Sequence, residues 1–177
     1  MITPEGSIIE QKRALRALFR KKLLQLTACR RQLAEKALCN INLPSKGWIL
    51  SFASCQGEIS THLLNQQLAA EGRLLLPRIE GAHLKAYKVS DLSLLQPGQF
   101  GILEPICKEE LTPDFILVPA LAFSSTYHRL GRGKGYYDRY LLAHAGIPNL
   151  GIGFTEQSCE HLPFENHDLP LMDCILL

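Results

Sequence analysis

The chain has 177 residues, 46% of them hydrophobic and 20% charged. That length and balance suit one globular domain and exclude a disordered or fibrous protein. No apolar run approaches the ~18–20 residues that cross a bilayer, and the first six residues show no basic stretch leading into an apolar one, so neither a membrane span nor a secretory signal is expected. Charge is uneven: the total is +2, but residues 1–40 hold nine basic and three acidic residues, a net +6, and the other 137 carry a net −4. A basic segment on a mildly acidic body points either to an anionic ligand or to a solvated helix face. The six cysteines, at 29, 39, 55, 107, 159 and 174, form no C-x-x-C pair; reduced thiols in a cytoplasmic protein are the expectation.

From Ile8 the sequence reads as helix, with Leu15, Leu18, Phe19 and Leu26 on one face and Lys12, Arg13, Arg16, Arg20, Lys21 and Lys22 over much of the rest. Thr27 is placed to cap a second helix carrying Leu33, Ala34, Ala37 and Leu38, which residues 40–45 then break. Residues 47–52 form a short apolar run, hence a buried strand. Residues 58–71 read as helix with Ile59, Leu63, Leu64 and Leu68 facing inward, and Gly72 stops it. Residues 73–76 are the next buried strand, ended by Pro77. Residues 83–89 are extended, residues 115–118 form another buried strand, and residues 135–145 a helix. Residues 149–152 and 174–177 supply the last strands. Strands apolar throughout, alternating with helices, imply a mainly parallel sheet covered on both faces. The expected architecture is therefore α/β: a single-domain three-layer α/β/α sandwich with a Rossmann-like sheet, residues 1–177 forming one domain and residues 1–40 packing as basic helices on its body. In such sheets a ligand sits on the loops beyond the strands' carboxyl ends, here residues 53–58, 119–134 and 153–168.

Chemistry concentrates in residues 128–140. Gly131, Gly133 and Gly135 alternate with Arg132 and Lys134 just before a helix. Such a backbone can turn its N–H groups onto a ligand, and the helix N-terminus favours an anion. Asp138 stands where it could hold a cation bridging phosphates. The spacing fits neither a Walker A loop, because Gly135 follows Lys134, nor a dinucleotide fingerprint, because Tyr136 holds the third glycine position. A flexible charged surface loop remains the plain alternative. Tyr136 and Tyr137 either flank a flat ring or are core aromatics. The cluster His161, Glu165, His167, Asp168 meets no zinc spacing, and Pro163 breaks any helix that would align it.

The run 129–139, Arg-Leu-Gly-Arg-Gly-Lys-Gly-Tyr-Tyr-Asp-Arg, resembles the signature of the 5-formyltetrahydrofolate cyclo-ligase family, also called methenyltetrahydrofolate synthetases. Residues 12–16, 58–61, 76–78, 101–105, 118–123 and 167–168 match it in order along nearly the whole chain. The resemblance departs at Ser124, where the family commonly has Asp, and at Tyr127 and His128, where Gly and then Asn or a similar residue are usual; no loop glycine or charge is lost. It implies ATP-dependent ring closure of 5-formyltetrahydrofolate to 5,10-methenyltetrahydrofolate, with Mg2+. The implied nucleotide contacts are Lys12, Arg16, Arg129, Leu130, Gly131, Arg132, Gly133, Lys134, Gly135, Tyr136 and Tyr137. Ala53, Glu58, Arg132, Gly133, Lys134, Gly135 and Tyr136 would meet the folate, Arg132 and Lys134 would act in catalysis, and Asp138 and Asp168 would hold the metal. The implied partner is a small molecule, with or without a polyglutamate tail, acted on by a monomer with no nucleic acid or membrane involved. Two other classes fit parts of the sequence: a nucleic-acid-binding protein using the basic N-terminal helix, and a nucleotide-independent sugar-phosphate isomerase-like enzyme on a similar sheet.

Overall fold

The computed structural model describes residues 6–165 and 167–177. Helix α1 (Ile8–Leu24) opens with a reciprocal cap between Ser7 and Glu10, and α2 (Ala28–Leu38) opens with the Thr27 side chain accepting from the Arg30 N–H. The buried stripe of α1 is Lys12, Leu15, Phe19 and Leu23, at the three- and four-residue spacing that keeps side chains on one face. Leu18, expected on that face, falls beside it and is half exposed.

Strands β1 (Ile49–Leu50), β2 (Leu74–Glu80), β3 (His83–Lys88), β6 (Phe115–Pro119), β9 (Asn149–Gly153) and β10 (Asp173–Leu176) form one sheet in the order β10-β9-β6-β1-β2-β3. All pairings are parallel except β2 with β3. Two small hairpins complete the strands, β4 (Gln96–Pro97) with β5 (Leu103–Glu104) and β7 (Ala122–Phe123) with β8 (Arg129–Leu130). Because side chains alternate across a strand, Ile49, Leu74, Leu76, Leu117, Leu150 and Ile152 pack under α1, α2 and α3 (His62–Ala70). Leu50, Leu75, Ile116 and Val118 pack on the other face against Tyr140 and Leu141 of α4 (Tyr136–Ala143). Both faces being covered explains why the strands read as unbroken apolar runs. This is the expected three-layer single-domain α/β/α sandwich, and all six cysteines are free thiols.

Three expectations are corrected. The helix expected at residue 58 starts at His62, because Gly57 (φ +92°) and a turn from Cys55 to Glu58 precede it, and the Thr61 hydroxyl turns back to the Phe52 carbonyl. Leu63 consequently faces outward. Strand β2 runs through Pro77 to Glu80. The Val89 N–H bonds the Leu74 carbonyl, so alternation points the Pro77 nitrogen away from β3, towards β1, where the neighbouring strand has already ended.

Arg30 joins α2 to the far end of the chain. Its guanidinium forks onto Glu156 at 2.9 and 2.7 Å, also donates to the Leu177 carbonyl, and lies over the Phe154 ring. The hydrogen bonds from Arg30 hold the Glu156 carboxyl down from near 4.5 to about 2. A depressed carboxyl stabilises the fold above its unfolded value, and that contribution is lost as pH falls through its folded value. Arg30→Ala is therefore expected to cost about 1–3 kcal/mol at pH 7. In urea titrations the deficit should shrink as pH is lowered from 4.5 towards 2.

Candidate active site

Counting only the parallel strands, the order is β2-β1-β6-β9-β10, so the direction of winding reverses between β1 and β6. A ligand crevice is expected beyond the carboxyl ends at that reversal. The segments after β1, β6 and β9 converge there. Arg132, in the loop after β8, donates through Nε to Glu58 at 3.0 Å and through Nη2 to the Gln56 carbonyl at 3.0 Å. The Cys159 N–H donates to the Phe123 carbonyl, tying the third segment to the hairpin.

The hairpin turn at residues 124–128 is closed by Ser124, whose hydroxyl accepts from the His128 N–H at 3.1 Å and contacts the Thr126 hydroxyl at 2.9 Å. Tyr127 sits at φ +61°, a left-handed conformation that costs a non-glycine residue roughly 1–2 kcal/mol. Beyond β8, Gly133 (φ +95°) and Gly135 (φ +66°) adopt the same region, and Gly135 caps α4. A Cβ on Gly133 would come within 3.3 Å of the Arg16 guanidinium, so this glycine serves both the turn and the close approach of α1. Arg16 also donates to the Gly131 carbonyl at 2.9 Å.

The three loop cations are held differently. Arg129 is buried, donating to Asp138 at 2.5 Å and to the Leu169 carbonyl at 3.0 Å. Burial opposes the Arg132 charge, but Glu58 outweighs it and the net shift is upward. Lys134 is exposed; its ammonium lies over the Phe100 ring at 5.6 Å, with no carboxylate partner among the described residues. Of the N-terminal pair, Arg16 reaches the loop, whereas Lys12 is buried with its ammonium 2.8 Å from Glu165 and 2.5 Å from Asp168. Burial alone would push Lys12 down; Asp168 and Glu165 outweigh it and raise it.

Leu130 has its side chain in the core and offers the site only backbone. Ala53 lies half-buried between β1 and the Cys55–Glu58 turn. Burial, reinforced by Glu58, pushes the Cys55 thiol up to about 12, which favours the protonated form. The two tyrosines separate. Tyr136 stands 6.5 Å from Phe100, ring to ring. The Tyr137 hydroxyl is buried with no hydrogen-bond partner among the described residues, and burial pushes it well above the usual phenol range. Since an unpaired buried hydroxyl costs about 1–3 kcal/mol, Tyr137→Phe is expected to stabilise the ligand-free protein by roughly 1 kcal/mol. Thermal unfolding checks this; a lower Tm would mean that the hydroxyl has a partner.

Phe100 is a residue that the sequence reading missed. It is 63% exposed, holds φ +62° between β4 and β5, and presents its ring beside Tyr136 and Lys134. Only its position after Gly98 hinted at a tight turn. For a cation, Glu165, His167 and Asp168 have ligand atoms within 4.8 Å of one another. Asp138 and Asp168 each keep one carboxylate oxygen clear of the hydrogen bonds that hold the other, to Arg129 in one case and to Lys12 and the Glu165 N–H in the other. Hard carboxylate oxygens of this kind suit magnesium.

Fold and site together define a three-layer α/β/α protein with a cationic glycine loop at the reversal of strand order. The model of the 5-formyltetrahydrofolate cyclo-ligase family matches residues 8–176, and the chain belongs to that family of ligases. It is similar to 5-formyltetrahydrofolate cyclo-ligase of Haemophilus influenzae (30% identity, 94% of this chain and 98% of that one) and of Mus musculus (29% identity, 89% of each). Its fold is similar to the solved 5,10-methenyltetrahydrofolate synthetase of Aquifex aeolicus, with a TM-score of 0.79 and 34% identity over 90% of this chain and 86% of that one. No helix among the described residues is long and apolar enough to cross a membrane.

Proposed function

We propose that the chain closes 5-formyltetrahydrofolate to 5,10-methenyltetrahydrofolate with conversion of ATP to ADP and phosphate, through a phosphorylated formyl oxygen. The observation that carries this reading is the glycine loop at the N-terminus of α4, with Lys134, which has no carboxylate partner among the described residues, beside the Arg132–Glu58 pair. An amide oxygen is a poor leaving group. The formyl oxygen therefore attacks the γ-phosphorus and ADP departs. The neighbouring nitrogen then attacks the activated carbon, loses its proton, and phosphate leaves with the former formyl oxygen. The protein's work is alignment and charge neutralisation. Arg132 and Lys134 meet the transferring phosphoryl group, while Gly131, Gly133 and Gly135 turn backbone N–H groups towards it. Glu58 binds the N–H-rich pterin edge, and Lys12 and Arg16 meet the nucleotide. Asp138 and Asp168 would hold a magnesium ion, and the chemistry it would supply there is further neutralisation of phosphate charge.

Phe100 and Tyr136 provide an aromatic wall for a flat ring. Phe100→Ala is expected to raise the KM for 5-formyltetrahydrofolate about 10-fold, leaving kcat largely intact; steady-state kinetics at saturating ATP checks it. Among the described residues, five of the basic side chains of the N-terminal segment, Lys12, Arg16, Lys22, Arg30 and Arg31, contact other parts of the protein or a neighbouring ring, which favours this reading over a nucleic-acid-tracking helix. The deciding assay mixes the chain with 5-formyltetrahydrofolate, ATP and Mg2+ and follows the near-ultraviolet absorbance of the methenyl product. Omitting ATP or Mg2+ should abolish the signal; equal product without ATP overturns the reading.

A further inference from the structure

Three consecutive residues, Tyr127, His128 and Arg129, grip the chain beyond β9 at three points. The Tyr127 carbonyl accepts from the Leu171 N–H at 2.9 Å. The His128 ring stacks on Phe164, with centroids 4.1 Å apart and planes 17° from parallel. Arg129 Nη1 donates to the Leu169 carbonyl at 3.0 Å, while Nη2 donates to Asp138 Oδ1 at 2.5 Å. The Arg129 side chain is 3% exposed, so its two engaged terminal nitrogens face protein acceptors inside the fold. One guanidinium thus spans two elements: the first turn of α4, which carries Asp138, and the segment in which Asp168 immediately precedes Leu169.

We infer that Arg129 is a positioning residue, fixing the spacing of Asp138 and Asp168 so that the two carboxylates meet one divalent cation, and is not itself a nucleotide ligand. The inference rests on the reading above that these carboxylates take the cation. A planar guanidinium can serve two acceptors at once through a rigid fork, whereas an ammonium in the same place is a single point charge on a flexible stem. Asp138 Oδ1 is held by the fork and Oδ2 stays clear of it. The grip of Tyr127 and His128 keeps the Leu169 carbonyl within the fork's reach.

The test separates metal from nucleotide. Mn2+ binding is followed by the electron paramagnetic resonance of the free ion, with the protein saturated in ADP. ADP binding is measured separately by calorimetry in EDTA, and thermal unfolding is recorded for each variant. Arg129→Lys is expected to weaken Mn2+ binding at least ~10-fold, the scale for losing a group that orients a metal ligand, while ADP affinity in EDTA stays within ~2-fold of wild type. A 10-fold loss of ADP affinity in EDTA, or unchanged Mn2+ binding, overturns the proposal. Should Arg129→Lys not fold, His128→Ala removes one grip from the surface. It is expected to weaken Mn2+ about 3-fold with ADP unaffected, and no change in Mn2+ binding overturns the proposal. Asp138→Asn tells the two readings apart. Wild-type Mn2+ binding in that variant removes the carboxylate reading and this inference with it. A loss there without a loss in Arg129→Lys removes this inference alone.

Discussion

Replacing Lys134 by alanine is expected to lower kcat by at least ~100-fold, the scale of losing one preorganised donor to a developing charge. The phosphoryl group in transfer spreads charge over its oxygens, and a cation already in place stabilises that state more than the ground state. Lys134 suits this role: it is exposed on the loop and lies against a ring, with no carboxylate among the described residues to give up. Arg132 must first exchange Glu58 and the Gln56 carbonyl for the ligand, so Arg132→Ala should lower kcat on the same scale and also disturb folate binding through Glu58. Were both exposed charges merely solvated, each substitution would change little. Steady-state kinetics on folded variants separates the cases, and near-wild-type kcat in both would remove the loop from catalysis.

Lys12→Ala is expected to act on two readouts. The KM for ATP should rise at least ~10-fold with kcat largely intact, the pattern of lost uniform binding. Stability should fall by about 1–3 kcal/mol, because Glu165 and Asp168 would face one another without a cation; the cost stays below the ~3–5 kcal/mol of a fully buried pair since Glu165 remains about a third exposed. Urea unfolding gives the second number. A rise in KM without any loss of stability would mean that the ion pair contributes nothing to the ligand-free fold.

Much of the fold was legible because its signals are local. Leu15 and Phe19, four apart on one face, and the Thr27 cap declare α1 and α2, and apolar runs declare strands buried on both faces. Pairings between two-residue strands were not legible: β4 with β5 and β7 with β8 each rest on a few backbone hydrogen bonds that leave no periodicity. Pro77 misled because a proline stops a strand only where its missing N–H would have had a partner. In the site, glycines alternating with cations announced the loop. What local sequence could not carry was the direction of each charge. Lys12 finds Glu165 and Asp168 more than 150 positions away, and Arg129 turns inward while Lys134, five residues on, turns out. Those choices depend on tertiary acceptors, which charge patterning does not encode.

The most direct test of the account follows one oxygen atom. The chain is supplied with 5-formyltetrahydrofolate carrying 18O in the formyl group, together with ATP and Mg2+, and the released orthophosphate is analysed by mass spectrometry. Phosphorylation of the formyl oxygen predicts one 18O in each phosphate released with methenyl product. Phosphate without 18O would show that the γ-phosphoryl group went elsewhere, and would contradict the role given to the glycine loop.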